Sequence, residues 1–103
     1  MAAKEIVFSP NAEAELGTLT RQQQKKIFRE LRNWSSGESK PEIEKIKSQP
    51  SFYRLKIADV RIVYYPFENG RVVLLLIRDR KNAYRNLPNL PQKLQTAARH
   101  LGI

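Results

Sequence analysis

Cysteine is absent from this 103-residue chain, and His100 is its only histidine. Without thiols there is no disulfide framework, no thiolate zinc site and no cysteine nucleophile. A single imidazole cannot form a two-histidine metal motif, and it leaves little room for a serine–histidine–aspartate triad. We expect His100 to be a solvated residue near the end of a helix. The sequence therefore predicts a site that uses neither a metal nor another cofactor.

Long apolar runs are also missing. No stretch approaches the roughly 18 residues of a membrane span, and Met1–Lys4 lack the hydrophobic stretch of a signal peptide. Apolar residues still make up 41 % of the chain, enough for the core of one small domain. We therefore expect a single soluble domain over residues 1–103, located in the cytoplasm and without a membrane partner.

Acidic residues are scarce in the second half of the chain. Lys and Arg total 19 against 10 Asp and Glu, a formal net charge of +9. Residues 1–50 hold 9 basic and 7 acidic groups, whereas residues 51–103 hold 10 basic and 3 acidic groups. A chain of this charge is attracted to polyanions, and nucleic acid is the leading candidate. The first half, by contrast, is charge-mixed like an ordinary protein surface.

The first third of the chain predicts a strand followed by two antiparallel helices. Glu5–Phe8 is β-prone, and Ser9 followed by Pro10 is typical of a helix start. Gly17 stops that helix, and Thr20 opens a second one with a capping-box pattern. An apolar stripe at helical spacing predicts the buried face of the second helix: Ile27, Phe28, Leu31 and Trp34.

The remainder predicts an antiparallel sheet and a final helix. A loop over residues 35–41 and the unassigned segment Glu42–Lys47 precede three strand-like runs, and a helix covers about Pro91–His100. The predicted fold is α+β: an N-terminal strand and a helical hairpin packed on a mainly antiparallel four-stranded sheet, with a C-terminal helical extension over about residues 88–103. The three strand-like runs are Phe52–Ile57, Val60–Pro66 and Arg71–Arg78.

The turn between the first two runs fixes their register. If Ala58-Asp59 is a two-residue turn, Lys56 faces Arg61, and Arg54 faces Val63. Because side chains alternate along a strand, Arg54, Lys56 and Arg61 then share one face. The opposite face holds a predicted core set: Tyr53, Leu55, Ile57, Val60, Ile62 and Tyr64.

The next hairpin is counted from Asn69-Gly70, a strong hairpin signal. A two-residue turn there makes Phe67 face Val72 and, further along, makes Arg61 face Arg78. Arg78 thereby joins the same face, with Arg80 just beyond the strand. Pro66 can introduce a bulge that shifts this count by one residue.

The count places four or five cations on one sheet face with no acid among them. Like charges directly opposite each other destabilise a sheet by about 0.2–1 kcal/mol, so a merely solvated face would mix signs. We therefore interpret this face as a phosphate-binding site. Tyr84 lies beside it within the basic run Arg80–Arg85. It either takes part in the chemistry or packs on the sheet with its hydroxyl in water.

Taken together, these segments make the chain resemble the RelE/ParE superfamily, the toxins of type II toxin–antitoxin pairs. The likeness covers Ile6 to about Leu87 and includes the helical hairpin. Order and spacing together carry it, rather than any one piece. The matching stretches are 6–16, Phe52–Ile57, Val60–Tyr65, Val72–Ile77 and Ala83–Arg85.

For the RelE-like branch, the resemblance implies a ribosome-dependent, metal-independent endoribonuclease that cleaves mRNA in the ribosomal A site. The implied reaction is attack of a ribose 2′-OH on the adjacent phosphodiester. The positions that match the family's functional residues are its basic-x-basic pair Arg54 and Lys56, its strand arginine Arg61, its late arginine Arg78 or Arg80, and its C-terminal tyrosine Tyr84. Further RNA contacts are expected from Lys81, Arg85 and Lys47.

Those positions suggest specific roles. Arg54, Lys56 and Arg61 would clamp the phosphate and stabilise its added charge. Lys56 or Tyr84 would accept the 2′-OH proton, and Tyr84 could also stack on a base. The late arginine would act electrostatically, because an arginine donates a proton poorly. Asp79 leaves open which late arginine is functional, since it could pair with either neighbour.

Two alternatives stay open. The chain could be a ParE-like inhibitor of DNA gyrase that acts by protein contact, or a non-catalytic basic module that only pairs with its antitoxin. The partners implied by the resemblance are an acidic or amphipathic antitoxin, the ribosome with its mRNA, and operator DNA reached only through the antitoxin complex.

Overall fold

The structure is a computed structural model that describes residues 4–82 and 87–102. Within these ranges a mixed sheet carries a helical hairpin on one face and a C-terminal helix on the other. No helix in the described ranges is long and apolar enough to cross a membrane. The elements in chain order are β1 Glu5–Phe8, α1 Pro10–Leu16, α2 Arg21–Ser36, β2 Glu42–Lys45, β3 Tyr53–Ile57, β4 Val60–Pro66, β5 Arg71–Asp79 and α3 Leu90–Leu101.

The predicted capping signals set the bounds of the helical hairpin. The Ser9 hydroxyl accepts a hydrogen bond from the Ala12 amide at 3.1 Å, and Pro10 occupies the first turn of α1. Thr20 and Gln23 form the predicted capping box at the start of α2. That helix runs two residues into the expected loop, to Ser36, and is capped by Gly37, whose left-handed backbone (φ 83°) suits glycine.

The sheet has five strands rather than the four predicted. Its order is β1-β5-β4-β3-β2, with β1 parallel to β5 and every other pair antiparallel. The extra strand is Glu42–Lys45, part of the segment left unassigned from the sequence. It pairs with β3 over its whole length and forms one edge of the sheet.

The predicted β3–β4 register is confirmed: Lys56 faces Arg61, and Arg54 faces Val63. The predicted pairing of Phe67 with Val72 is wrong. Pro66 faces Val72 instead, because the turn has three residues, Glu68–Gly70, rather than two.

A register shift between Val63 and Tyr64 then compensates for the longer turn. Beyond it, Val63 faces Leu76 and Arg61 faces Arg78, as the sequence predicted. A β-bulge absorbs the extra residue of the turn, so the far end of the hairpin keeps the expected faces.

Two hydrophobic clusters lie on opposite faces of the sheet. The first buries the apolar side of the hairpin against the core set predicted for β3 and β4. Phe28 is an exception to the predicted stripe. Its side chain is 51 % exposed, with its ring 6.1 Å from that of Phe8. The second cluster packs α3 against Val63, Val73 and Leu76.

The start of α3 is held by a side chain from the β2–β3 connection. The Gln49 amide donates to the Pro88 carbonyl at 2.9 Å and accepts from the Leu90 amide at 2.6 Å. Asn89 caps the first turn, accepting from the Gln92 amide. These contacts seat α3 on the sheet face that also carries the predicted cations.

Candidate phosphate-binding face

One row of charged side chains crosses the sheet from its β2 edge. The strand pairings place Glu42 opposite Lys56, Lys56 opposite Arg61, and Arg61 opposite Arg78. Adjacent strands lie about 4.8 Å apart, so these long side chains share one surface. We refer to Glu42, Lys56, Arg61 and Arg78 as the charged row.

Arg54 lies beside the charged row on the same face. It pairs across the sheet with Glu44 on one side and Val63 on the other. Arg54 is buried, with 9 % of its surface exposed, while Lys56, Arg61 and Arg78 are half-buried. The four cations predicted from the register therefore do come together, next to the area that α3 covers.

The expectation that no acid lies among these cations is wrong. The Lys56 ammonium is 2.8 Å from a Glu42 carboxylate oxygen and 3.9 Å from Glu44. The Arg54 guanidinium is 3.4 Å from Glu44. The unforeseen strand β2 supplies both carboxylates, because its register sets them directly opposite the two cations of β3.

A third carboxylate reaches Arg78 at the other end of the charged row. Glu15 of α1 accepts from Arg78 Nε at 2.8 Å, and its other oxygen accepts from the Ile77 amide at 3.1 Å. Asn11 donates to Glu15 and to the Leu75 carbonyl. Since β1 pairs with β5 only as far as Leu74, α1 continues the hydrogen bonding along that edge.

Arg61 occupies the middle of the row and differs from its neighbours. Its Nη1 donates to the Ala58 carbonyl at 2.9 Å and to the Val60 carbonyl at 3.1 Å. Its buried Nε has no hydrogen-bond partner among the described residues, and no carboxylate lies within salt-bridge distance of it there. Arg61 is therefore the cation of the row whose charge is least compensated.

The remaining predicted residues lie outside the row. Arg80 and Lys81 are exposed in the turn after β5, and the Arg80 amide donates to the Asp59 carbonyl at 2.7 Å. Lys47 is exposed in the turn after β2. Asp79 accepts from the Asn82 amide and side chain, while Arg78 binds Glu15. Tyr84 and Arg85 lie outside the described residues.

The carboxylates were missed for two different reasons. Glu42–Glu44 alternates acidic and apolar residues, but a single apolar residue within the four residues of β2 is too weak a strand pattern to assign. Glu15 gives no local signal at all, because its partner Arg78 is 63 residues away. Across residues 4–82 and 87–102, no three acidic or imidazole side chains cluster as metal ligands do.

A polar groove of about 670 Å³ adjoins the Arg78 end of the row. Its walls include Thr20 and Gln23 at the start of α2, and Asp79 and Asn82 after β5. The groove gives an extended ligand a continuous polar surface from the row to the α1–α2 turn.

The pKa values of two side chains of the sheet, Glu42 and Tyr64, are shifted in opposite directions. The hydrogen bond and charge of Lys56 hold the pKa of Glu42 below its ordinary value of 4.5, with a further contribution from Arg61. On the hairpin side of the sheet, burial raises the pKa of Tyr64 to about 12. The Tyr64 phenol therefore stays protonated at neutral pH.

Replacing Lys56 by methionine is expected to raise the pKa of Glu42 toward 4.5, because the principal cause of its lowering is removed. A carboxyl with a lowered pKa stabilises the fold at neutral pH, and this contribution is lost as the pH falls through the folded-state value. Carbon-13 NMR titration of the Glu42 carboxyl measures the shift. Lys45→Met, on the same strand, is the control. An unchanged Glu42 midpoint in Lys56→Met would contradict the ion pair.

Comparison with solved structures identifies the fold. The toxin–antitoxin complex RelBE2 from Mycobacterium tuberculosis matches with a TM-score of 0.63 and 17 % identity, covering 77 % of this chain and 100 % of that one. A double arginine-to-alanine variant of Escherichia coli RelE in the free state matches at 0.61 and 15 %, covering 96 % and 98 %. The RelB–RelE antitoxin–toxin complex from Methanococcus jannaschii matches at 0.62 and 22 %, covering 80 % and 99 %.

No protein-family model matches the chain, and no curated protein matches its sequence. The structural agreement spans nearly the full length of each of these three chains. The resemblance read from the sequence is thus confirmed at the level of the fold. This chain has the fold of the RelE toxins.

Proposed function

We propose that this chain is the toxin of a type II toxin–antitoxin pair and that it cleaves mRNA on the ribosome as a metal-independent endoribonuclease. One observation carries the proposal: on a RelE fold, Lys56, Arg61 and Arg78 occupy consecutive register positions across three strands. Three adjacent cations on one face can surround a single phosphodiester. A ribosomal target also implies that the protein acts in the cytoplasm.

The proposed reaction is an intramolecular transesterification. The ribose 2′-oxygen attacks the adjacent phosphorus, a new O–P bond forms, and the bond to the 5′-oxygen breaks. The products are a 2′,3′-cyclic phosphate and a free 5′-hydroxyl once the leaving oxygen takes up a proton. Negative charge builds on the non-bridging oxygens in the transition state, and fixed cations stabilise it most when they are already in position.

Arg61 is the residue best suited to this stabilisation. It is central in the row, and its fork of N–H donors matches the oxygens of a phosphate. Its contacts with the Ala58 and Val60 carbonyls fix the guanidinium beside the β3–β4 turn. Arg54 and Lys56 flank it from β3 and add positive charge to the same surface.

The carboxylate partners of Lys56 and Arg78 indicate a different role for each of these two cations. Lys56 is ion-paired with Glu42, which suits it to charge stabilisation rather than to accepting a proton. We assign acceptance of the 2′-OH proton to Tyr84 in its ionised form; in the sequence Tyr84 comes five residues after the end of β5. Arg78, held by Glu15, stabilises the charge on the leaving oxygen.

The same carboxylates give a reason for dependence on the ribosome. Glu42, Glu44 and Glu15 offset much of the positive charge of the face, so an RNA strand must compete with them for the cations. An RNA strand that a larger assembly already holds beside the cations does not need high affinity for them, because correct positioning supplies much of the rate acceleration. The ribosome would provide this positioning.

We propose a cognate antitoxin as the protein partner. RelB–RelE and other antitoxin–toxin complexes are among the structures that share this fold. An acidic or amphipathic antitoxin segment would complement the net charge of +9. Contact with operator DNA would then occur only through the complex with the antitoxin.

Primer-extension mapping of ribosomes stalled on a defined mRNA tests the activity. Adding the purified protein is expected to produce new 5′ ends within the A-site codon, and only when ribosomes are present. Gyrase supercoiling measured with the same preparation is the control. Intact A-site mRNA together with inhibited supercoiling would overturn the proposal in favour of the ParE-like alternative.

A second candidate is a non-catalytic module that binds its antitoxin. The observation in its favour is the carboxylate partner of Lys56 and of Arg78, which lowers the phosphate affinity of the row. This candidate predicts that the purified protein neither cleaves A-site mRNA nor inhibits gyrase, while it still forms a stable complex with the product of an adjacent small reading frame.

A further inference from the structure

The two-residue turn between β3 and β4 has a backbone conformation that is unusual for its sequence. Ala58, its first residue, has a φ of 51°, in the left-handed region. Two-residue hairpin turns use positive φ at this position, and glycine, asparagine or aspartate normally supplies it. An alanine makes the conformation costly, because its Cβ approaches the following carbonyl oxygen. The turn therefore contains a strained residue where glycine would carry no such strain.

This strained residue contacts the charged row through its carbonyl group. The Ala58 carbonyl accepts from Arg61 Nη1 at 2.9 Å, and the Val60 carbonyl accepts from the same nitrogen at 3.1 Å. Nη1 carries two hydrogens, so each carbonyl can take one of them. The direction of the Ala58 carbonyl is set by the φ and ψ angles of Ala58. The orientation of the Arg61 guanidinium thus depends on the left-handed backbone of the turn.

The second residue of the turn is hydrogen-bonded to the residue that follows β5. The Asp59 carbonyl accepts from the Arg80 amide at 2.7 Å, which continues the bonding of β4 and β5 past the pair Val60 and Asp79. The turn is therefore held by its own hairpin on one side and by the chain after β5 on the other. Its backbone cannot rotate without breaking one of these contacts.

The other left-handed residues lack this combination of strain and contact. Among the described residues, three other than glycine have positive φ: Ser51, Ala58 and Asn69. Asparagine adopts the conformation readily, and serine has a hydroxyl that can bond to the local backbone, whereas alanine has neither property. Strain of this kind persists where the surrounding structure enforces it, and it concentrates at functional sites. In this chain it occurs next to the central cation of the charged row.

We propose that Ala58 is a positioning residue: its left-handed backbone, stiffened by the Cβ atom, fixes the Arg61 guanidinium on the charged row. Glycine would satisfy the turn, but without Cβ it would leave the carbonyl freer to move. A cation that is already in place stabilises developing charge better than one that must first be ordered. That this orientation serves phosphodiester cleavage rests on the proposed function.

The variant Ala58→Gly tests the proposal because it separates stability from positioning. Removing Cβ relieves the strain in the folded chain, so the midpoint of urea denaturation should be unchanged or higher. The single-turnover rate of mRNA cleavage in stalled ribosomes should fall about fivefold, far less than the roughly 100-fold cost of losing the donor itself. The half-saturating protein concentration should not change. A residue with only a structural role would lower stability and rate together.

Asn69→Gly is the matched control, since it changes another left-handed residue (φ 61°) in the turn between β4 and β5, at the opposite end of the sheet. It should leave the rate unchanged. Ala58→Asn should also keep the wild-type rate, because asparagine retains Cβ and adopts the left-handed backbone. In an Arg61→Ala background, Ala58→Gly should have no further effect. A further loss in that background, or a wild-type rate in Ala58→Gly, would overturn the proposal.

A measurement without RNA tests the positioning by itself. Nitrogen-15 NMR of the Arg61 side chain, assigned by its loss in Arg61→Lys, reports how fast the guanidinium rotates about its Cζ–Nε bond. We expect separate Nη signals in the wild type and in Ala58→Asn, and one averaged signal in Ala58→Gly. Equal rotation in the wild type and Ala58→Gly would overturn the proposal. Slow rotation in the wild type that is released in Ala58→Gly, with no mRNA cleavage by either protein, would contradict the proposed nuclease activity and leave the positioning of Arg61 standing.

Discussion

Replacing Arg61 by alanine is expected to lower the rate of ribosome-dependent mRNA cleavage by about 100-fold or more while leaving the protein folded. Arg61 is the cation of the charged row with no carboxylate within salt-bridge distance among the described residues, so its charge is the least offset of the row. Removing one preorganised donor at a developing oxyanion costs about 10²–10³ in rate. Single-turnover cleavage of mRNA in stalled ribosomes measures the chemical step directly.

Arg71→Gln is the matched control for this experiment. It removes the same charge from the opposite end of β5, where Arg71 forms an exposed ion pair with Glu5. Arg61→Lys adds a second comparison, because it retains the charge and loses the planar fork of donors; we expect an intermediate rate. If Arg61→Ala cleaves mRNA as fast as Arg71→Gln, the charged row is not the catalytic face.

The position of Arg61 could be predicted because each step depended on a short-range rule. A two-residue turn at Ala58-Asp59 and the alternation of side chains fixed the β3–β4 register. The pairing of Arg61 with Arg78 was also correct, although one step toward it was wrong. The longer turn at Glu68–Gly70 and the bulge near Val63 shift the count by one residue each, in opposite directions.

The electrostatic character of the face could not be predicted in the same way. It depends on β2, which has one apolar residue in four and is held by its pairing with β3. Propensity alone does not identify so short an edge strand. Once β2 is in place, its register gives Lys56 and Arg54 their carboxylate partners.

The exposure of Phe28 shows a related limit. Helical spacing puts Phe28 on the same side of α2 as Ile27 and Leu31, but the buried stripe is narrower than the apolar one. Where that stripe ends depends on how α2 lies over the sheet, which the sequence of the helix does not determine. The exposed Phe28 ring therefore belongs to the protein surface and not to the predicted core.

Replacing Glu15 by alanine is expected to destabilise the fold by about 2–3 kcal/mol. Glu15 is the acceptor for the buried Ile77 amide and the ion-pair partner of Arg78, so its loss leaves both groups unpaired at the edge of β5. An unsatisfied buried donor costs about 1–3 kcal/mol, and a cation that loses its partner adds to this. Urea denaturation followed by circular dichroism gives the change in the free energy of unfolding.

Glu15→Gln separates these two contributions. Its amide oxygen can still accept from the Ile77 amide, whereas the ion pair with Arg78 is gone. We expect a loss of about 1 kcal/mol, since the remaining effect is one partly exposed charge pair. Glu13→Ala, on the same helix and exposed, is the control for helix propensity. Wild-type stability in Glu15→Ala would mean that α1 does not support the edge of β5. If instead Glu15→Gln destabilises as much as Glu15→Ala, the ion pair with Arg78 rather than the Ile77 hydrogen bond holds the helix to the sheet.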